Sequence, residues 1–148
     1  MATLKVKIQE DIVLDNQDYG SKRTLEISSI NEVMKRIVTC AASQTTTIAV
    51  FNSNAYGAAG AIDIEDSKYI RITNLDTSNA VELAVVGAAT LYQVNLAAGQ
   101  SHVLGSADGL MLSEADTSPS FGTMADLGSI QVNPGGNAVD VELFIASA

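Results

Sequence analysis

A chain of 148 residues with 47% hydrophobic and 17% charged residues is long enough to bury one core without covalent staples and too apolar to be disordered. A net charge of -9 argues against nucleic acid as a partner, because an acidic surface is repelled by a polyphosphate. The single cysteine, Cys40, excludes an intrachain disulfide and a multi-cysteine zinc site. In the setting Arg36-Ile-Val-Thr-Cys40 it reads as a small core residue rather than a reactive thiol.

No apolar run is long enough to cross a bilayer, and Met1-Ala-Thr-Leu-Lys-Val-Lys7 lacks the apolar centre of a signal peptide. We therefore expect a cytosol-like compartment, or a route out of it other than secretion, and no membrane partner. The charge is unevenly placed. All eight basic residues lie in the first 71 positions with nine acids, a net 8 - 9 = -1, and the remaining 77 positions hold eight acids and no Lys or Arg. An acidic face that keeps the protein soluble accounts for this; so does a polar molecule whose basic-bearing half meets a partner.

In chain order, Leu4, Val6 and Ile8 alternate with Lys5, Lys7 and Gln9, an opening strand with one wet face. Ile12, Val13 and Leu14 continue it after Glu10-Asp11. Residues 15–21 form a loop by composition, and Leu25 and Ile27 mark a short second strand. Residues 29–40 support two readings. Ile30, Val33, Met34, Ile37 and Val38 fit helical spacing, and Ser29 with Glu32 fits a capping box. The β-branched Ile37, Val38 and Thr39 and the strand-like neighbours favour a turn near residues 28–31 and a strand from about Val33, with Lys35 on the face of Val33 and Ile37 and that face partly exposed.

Residues 41–44 form a turn. Thr46, Ile48 and Val50 then alternate with Thr47, Ala49 and Phe51, and residues 52–60 make a loop rich in Gly, Ala and Asn with little of its own to bury. Ile62 and Ile64 start a short strand leading into the central block. There Ile70 and Ile72 alternate with Arg71 and Thr73, Asp76-Thr-Ser-Asn79 supplies a turn, and Val81, Leu83 and Val85 alternate again. Tyr92, Val94 and Leu96 follow the break at Gly87, and Ala97-Ala-Gly-Gln100 turns into Ser101-His-Val-Leu104. Residues 69–112 thus read as consecutive antiparallel strands. Residues 113–125 are a long excursion whose Phe121 and Met124 need a surface to cover them. Leu127, Ile130 and Val132 lead into Asn133-Pro-Gly-Gly-Asn137, the strongest turn signal, and Val139, Val141, Leu143 and Ile145 complete a hairpin that closes the fold.

About ten short strands without a convincing amphipathic helix imply a single all-β domain over residues 1–148, an antiparallel β-sandwich of jelly-roll type. Phe51, Val86, Val103 and Phe144 fall opposite the main apolar sets of their strands. Either these strands are central and buried on both faces, or the surplus forms patches covered by an oligomer.

Catalytic chemistry finds little support. His102 is the only histidine and reads as a hydrogen-bonded strand residue, since no nucleophile pattern accompanies it. Asp63, Glu65 and Asp66 are the densest acids. They supply oxygen ligands suited to calcium, but the spacing is not that of an EF-hand, and a solvated edge that discourages aggregation explains them better. Gly57-Ala-Ala-Gly60 lacks the Lys-Ser/Thr of a phosphate loop, and Gly135-Gly136 belongs to a turn. We expect neither enzyme activity nor a cofactor or metal.

Tyr69-Ile-Arg-Ile-Thr-Asn-Leu-Asp76, Val81-Glu-Leu83 and Val94-Asn-Leu-Ala-Ala-Gly-Gln-Ser-His-Val-Leu104, with Val33-Met-Lys-Arg-Ile-Val38 and Val139-Asp-Val-Glu-Leu-Phe-Ile-Ala146, resemble small structural proteins of tailed bacteriophages, including those of marine cyanobacterial phages. The resemblance runs from about Val33 to the end as a fold-level pattern. It implies a virion protein, and a capsid decoration (cement) protein suits the size. Such proteins commonly sit as trimers on the shell and reinforce it, so the partners implied are the major capsid protein or other virion proteins and further copies of the chain. A tail or fibre component, or a module binding host glycans, is the alternative; 5% aromatics without tryptophan count against the glycan version. No functional residue carries over. For the partner-facing surface we single out Lys5, Lys7, Lys22 and Arg23 of the basic-bearing half, together with the surplus Phe144.

Overall fold

Val139, Val141, Leu143 and Ile145 lie on one side of a single strand and none is more than 1% exposed; Asp140, Glu142 and Phe144 lie on the other side. Alternation of this kind makes a strand one wall of a core. The computed structural model describes residues 1–54, 57, 60–87, 91–113 and 118–148. Its strands are β1 (Ala2–Glu10), β2 (Val13–Leu14), β3 (Gln17–Asp18), β4 (Ser21–Ile30), β5 (Glu32–Cys40), β6 (Thr46–Asn52), β7 (Ile62–Asp63), β8 (Ser67–Asn74), β9 (Val81–Gly87), β10 (Leu91–Leu96), β11 (Ser101–Leu104), β12 (Leu127–Asn133) and β13 (Val139–Ser147). The described residues contain no helix. Ten of these strands are four residues or longer, and residues 32–40 are strand rather than helix.

From β5 onward the strands form two sheets. One has the order β10-β9-β12-β6-β7 and the other β11-β8-β13-β5. Their pairings are antiparallel apart from a two-residue parallel contact between β6 and β7. The sheets pack face to face in a sandwich-like arrangement and share one core. Ile48, Leu83, Val85 and Ile130 enter it from the first sheet, and Ile70, Ile72, Val141 and Leu143 from the second. Each such side chain contributes about 1.5–3 kcal/mol by leaving water.

Three expectations are corrected here. The strands of residues 69–112 are consecutive in the chain but not in the sheets: β8 lies in one sheet, β9 and β10 pair in the other, and β11 returns to pair with β8. Similarly, the turn at Asn133–Asn137 does not make a hairpin, because β12 and β13 lie in different sheets; it is a corner that carries the chain across the core. A turn signal reports a change of direction, and does not say whether the next strand pairs or crosses. Finally, Phe51 is a core residue at 5% exposure and Val50 faces outward. A β-bulge on β6 causes the switch: Ile130 pairs with Ala49 and Gln131 with Thr47, which skips Ile48 and changes the phase of the alternation.

Two buried polar side chains hold the corners. Asn74, fully buried, donates from Nδ2 to the carbonyls of Asn79 at 2.8 Å and Leu96 at 3.0 Å, and its Oδ1 accepts from the Asp76 amide at 2.9 Å. It thereby ties the β8–β9 corner to the end of β10. Ser67 donates to the Ile64 carbonyl and accepts from the Ala107 amide, both at 3.0 Å. The loop of residues 52–60 and the excursion of residues 113–125 lie partly outside the described residues. Within the latter, Phe121 and Met124 are exposed.

Candidate interaction arm

The first thirty residues join neither sheet. Among the described residues β1 and β4 pair only with each other, in an antiparallel ladder from Leu4↔Ile27 to Glu10↔Ser21. β2 and β3 extend the hairpin to a two-residue loop, Asp15-Asn16, with φ of 50° and 63°. Positive φ at both central residues is the type I′ geometry that matches strand twist, and Asp and Asn tolerate it. The sequence reading made residues 15–21 a loop and the second strand short. The hairpin is far longer, with β4 spanning ten residues. The Asp-Asn pair between alternating segments was the available signal.

At its base the arm is anchored. Ala2 pairs with Ile30 but Leu4 with Ile27, and the one extra residue of β4 is taken up where Ser29 adopts a φ of 64°. This bulge turns Ile30 inward to 4% exposure, where it packs with Tyr69 and Ala146; Leu4, Val6, Ile27 and Phe144 lie against the same cluster. The Phe144 ring meets Tyr69 edge to face with centroids 6.0 Å apart, and the Arg71 guanidinium lies 5.7 Å from its centroid. Arg71 also donates to Glu142 at 2.6 Å. That hydrogen bond, with the positive charges of Lys35 and Arg71, holds the Glu142 carboxyl below the usual carboxylate range.

Beyond the base the arm's side chains separate by face. Lys5, Lys7 and Gln9 lie opposite Glu26, Thr24 and Lys22, and Leu4, Val6 and Ile8 lie opposite Ile27, Leu25 and Arg23. Of the five residues expected to face a partner, Lys5, Lys7 and Lys22 thus share one face, Arg23 sits on the other, and Phe144 lies half-buried at the base. Lys5 pairs with Glu26 at 2.8 Å, both well exposed, an arrangement of small energetic worth. On the apolar face, burial fades towards the tip: Ile8 and Leu25 are 59% and 56% exposed, and at the tip Ile12, Val13, Leu14 and Tyr19 are all more than half exposed. Position along the arm and the Asp-Asn turn, which the sequence reading did not use, mark these tip residues.

The remaining candidates have local partners. His102 Nε2 lies 3.1 Å from the Tyr92 hydroxyl. The pair joins β11 to β10, the edge strands on one side of the two sheets. Burial pushes the His102 pKa down and the Tyr92 pKa up. Cys40 is fully buried, and burial raises its thiol pKa. Asp63 Oδ1 accepts from the Glu65 amide at 3.0 Å. Among the described residues no three His, Cys, Asp or Glu side chains are grouped to hold a metal ion.

No protein-family model matches this chain, and no curated protein matches it in sequence. Among solved structures, a chain from one described as "Bacillus endospore appendages form a novel family of disulfide-linked pili" is similar over 81% of this chain and 88% of its own, with 12% identity and a TM-score of 0.43. An overlap of that size does not define the fold, which stands on the strand pairing.

Proposed function

We propose that this protein is a non-enzymatic structural subunit of a tailed-phage virion, a capsid decoration protein that oligomerises and reinforces the head shell. The arm carries this reading. A two-stranded ribbon is marginal in water by itself, yet this one leaves Ile8, Ile12, Val13, Leu14, Tyr19 and Leu25 more than half exposed. Such a patch fits a surface meant to be covered by other subunits. Many copies around a symmetric site turn modest individual contacts into strong attachment. We also propose that the body is a jelly roll. In support, the chain crosses from one sheet to the other at each step from β5 to β13, apart from the short β7 and the paired β9 and β10.

A tail or fibre part, or a glycan-binding module, is favoured by a different observation. The outer face of the five-stranded sheet carries a shallow cleft of about 320 Å³ where the polar Glu82, Gln93, Gln131 and Asn133 line the walls together with the apolar Val86 and Leu91. The polar groups suit sugar hydroxyls, though among the described residues no aromatic ring lines the cleft. Light scattering of the purified protein, followed by co-sedimentation with empty phage heads, tests the main reading. We expect an oligomer that sediments with heads and a variant lacking residues 1–29 that does not. A monomer that leaves heads bare while retaining a glycan on an array transfers the assignment to the second reading.

A further inference from the structure

The apolar face of the arm stem lies over the second sheet and leaves a groove of about 490 Å³. Its walls include Val6, Ile8 and Leu25 from the arm and Tyr69 and Val103 from the sheet. The charged side chains lining it are Arg23 and Lys68, both cationic and neither in an ion pair among the described residues. The arm tip has the opposite character. Residues 10–20 contain Glu10, Asp11, Asp15 and Asp18 and no Lys or Arg, and among them stand the exposed Ile12, Val13, Leu14 and Tyr19. An apolar knob rimmed with negative charge therefore matches an apolar groove rimmed with positive charge. The tip cannot reach the groove of its own chain, because the stem that forms one wall is the same hydrogen-bonded ladder that holds the tip beyond it.

We propose that the arm tip of one copy docks in the stem groove of a second copy, in a head-to-tail contact; this rests on the reading of the arm as an assembly element. Such a contact uses two different surfaces, so every subunit offers one knob and one groove. A rotation that closes gives a ring, of which the decoration trimer is one case, and a rotation that does not close gives an open chain. The charge match steers the encounter and selects the register, while the buried side chains supply most of the affinity.

Two variants test it, with sedimentation velocity as the readout. V13S with L14S takes an apolar side chain from each face of the knob and keeps the tip acidic. R23E with V103E makes the groove acidic and polar. All four positions are on the surface, so the fold persists, which circular dichroism checks. Wild type is expected to self-associate, less so as salt screens the charges, and each variant alone to associate at least roughly tenfold more weakly. Mixing the two variants should give a 1:1 dimer and nothing larger, because one intact knob and one intact groove remain. A groove variant that assembles like wild type, or a mixture that stays monomeric, overturns the head-to-tail contact and leaves the assembly reading intact. A wild type that is monomeric at every concentration overturns both.

Discussion

Residues 2–30 and residues 32–147 obey the same two-residue alternation and reach opposite outcomes with respect to water. In the body each strand turns its apolar set towards an opposing sheet, and Leu143, Ile72 and Val85 are fully buried. In the arm the alternation is as regular, but the face made by Val6, Ile8 and Leu25 packs into a cluster with the body near its base, and at the tip Ile12, Val13, Leu14 and Tyr19 are more than half exposed. Periodicity therefore identifies which face of a strand is apolar, and the number of layers available decides whether that face is covered. The body's apolar residues are covered by the fold itself; those of the arm beyond its base are left largely exposed to water.

If this division is right, substitutions should separate by region. The largest effect belongs to the shared core: Leu143→Ala should lower unfolding free energy by about 2–5 kcal/mol in a denaturant titration. Asn74→Ala comes next, at about 2–3 kcal/mol. It leaves two carbonyls and an amide at the sheet-to-sheet corner without their partner, and amide exchange should quicken in residues 74–79. Glu142→Gln, on the outer face of the second sheet beside Arg71 and Lys35, should cost about 1.5 kcal/mol at neutral pH. The folded-state pKa of Glu142 is depressed, so its contribution is present above the unfolded pKa and is lost as pH falls through the folded one. Thermal melts should therefore show wild type and Glu142→Gln converging below the ordinary carboxylate range. The smallest change is expected at the tip, where Leu14→Ser should alter monomer stability by no more than about 0.5 kcal/mol while weakening self-association. A tip substitution that destabilises the monomer as much as Leu143→Ala would erase the distinction between arm and body.

Much of the strand content was legible because core strands announce themselves by alternation. Val139 to Ile145 and Val81 to Val85 are examples, and the β-branched residues of 37–39 pointed correctly to a strand. The arm was partly legible: Leu4, Val6 and Ile8 gave its first strand, whereas the expected surface of Lys5, Lys7, Lys22 and Arg23 is divided, the three lysines on one face and Arg23 on the other. Phe144 was singled out for its unusual side, but its neighbours Tyr69 and Arg71 come from a strand some seventy positions earlier, and that adjacency is set by sheet order. Phe51 misled because a bulge opposite Gln131 shifts the phase of β6, and no local residue type encodes the pairing that creates it.

The sequence by itself determined an all-β chain, the apolar face of most strands and the places where the chain turns, because these follow from side-chain chemistry at short range. Only the tertiary structure decided which turns cross between sheets, that Asn74 and Ser67 hold those crossings, and that the first thirty residues stand apart as a ribbon. Pairing joins residues distant in the chain, and its outcome depends on which edges and faces remain open once the other strands have packed.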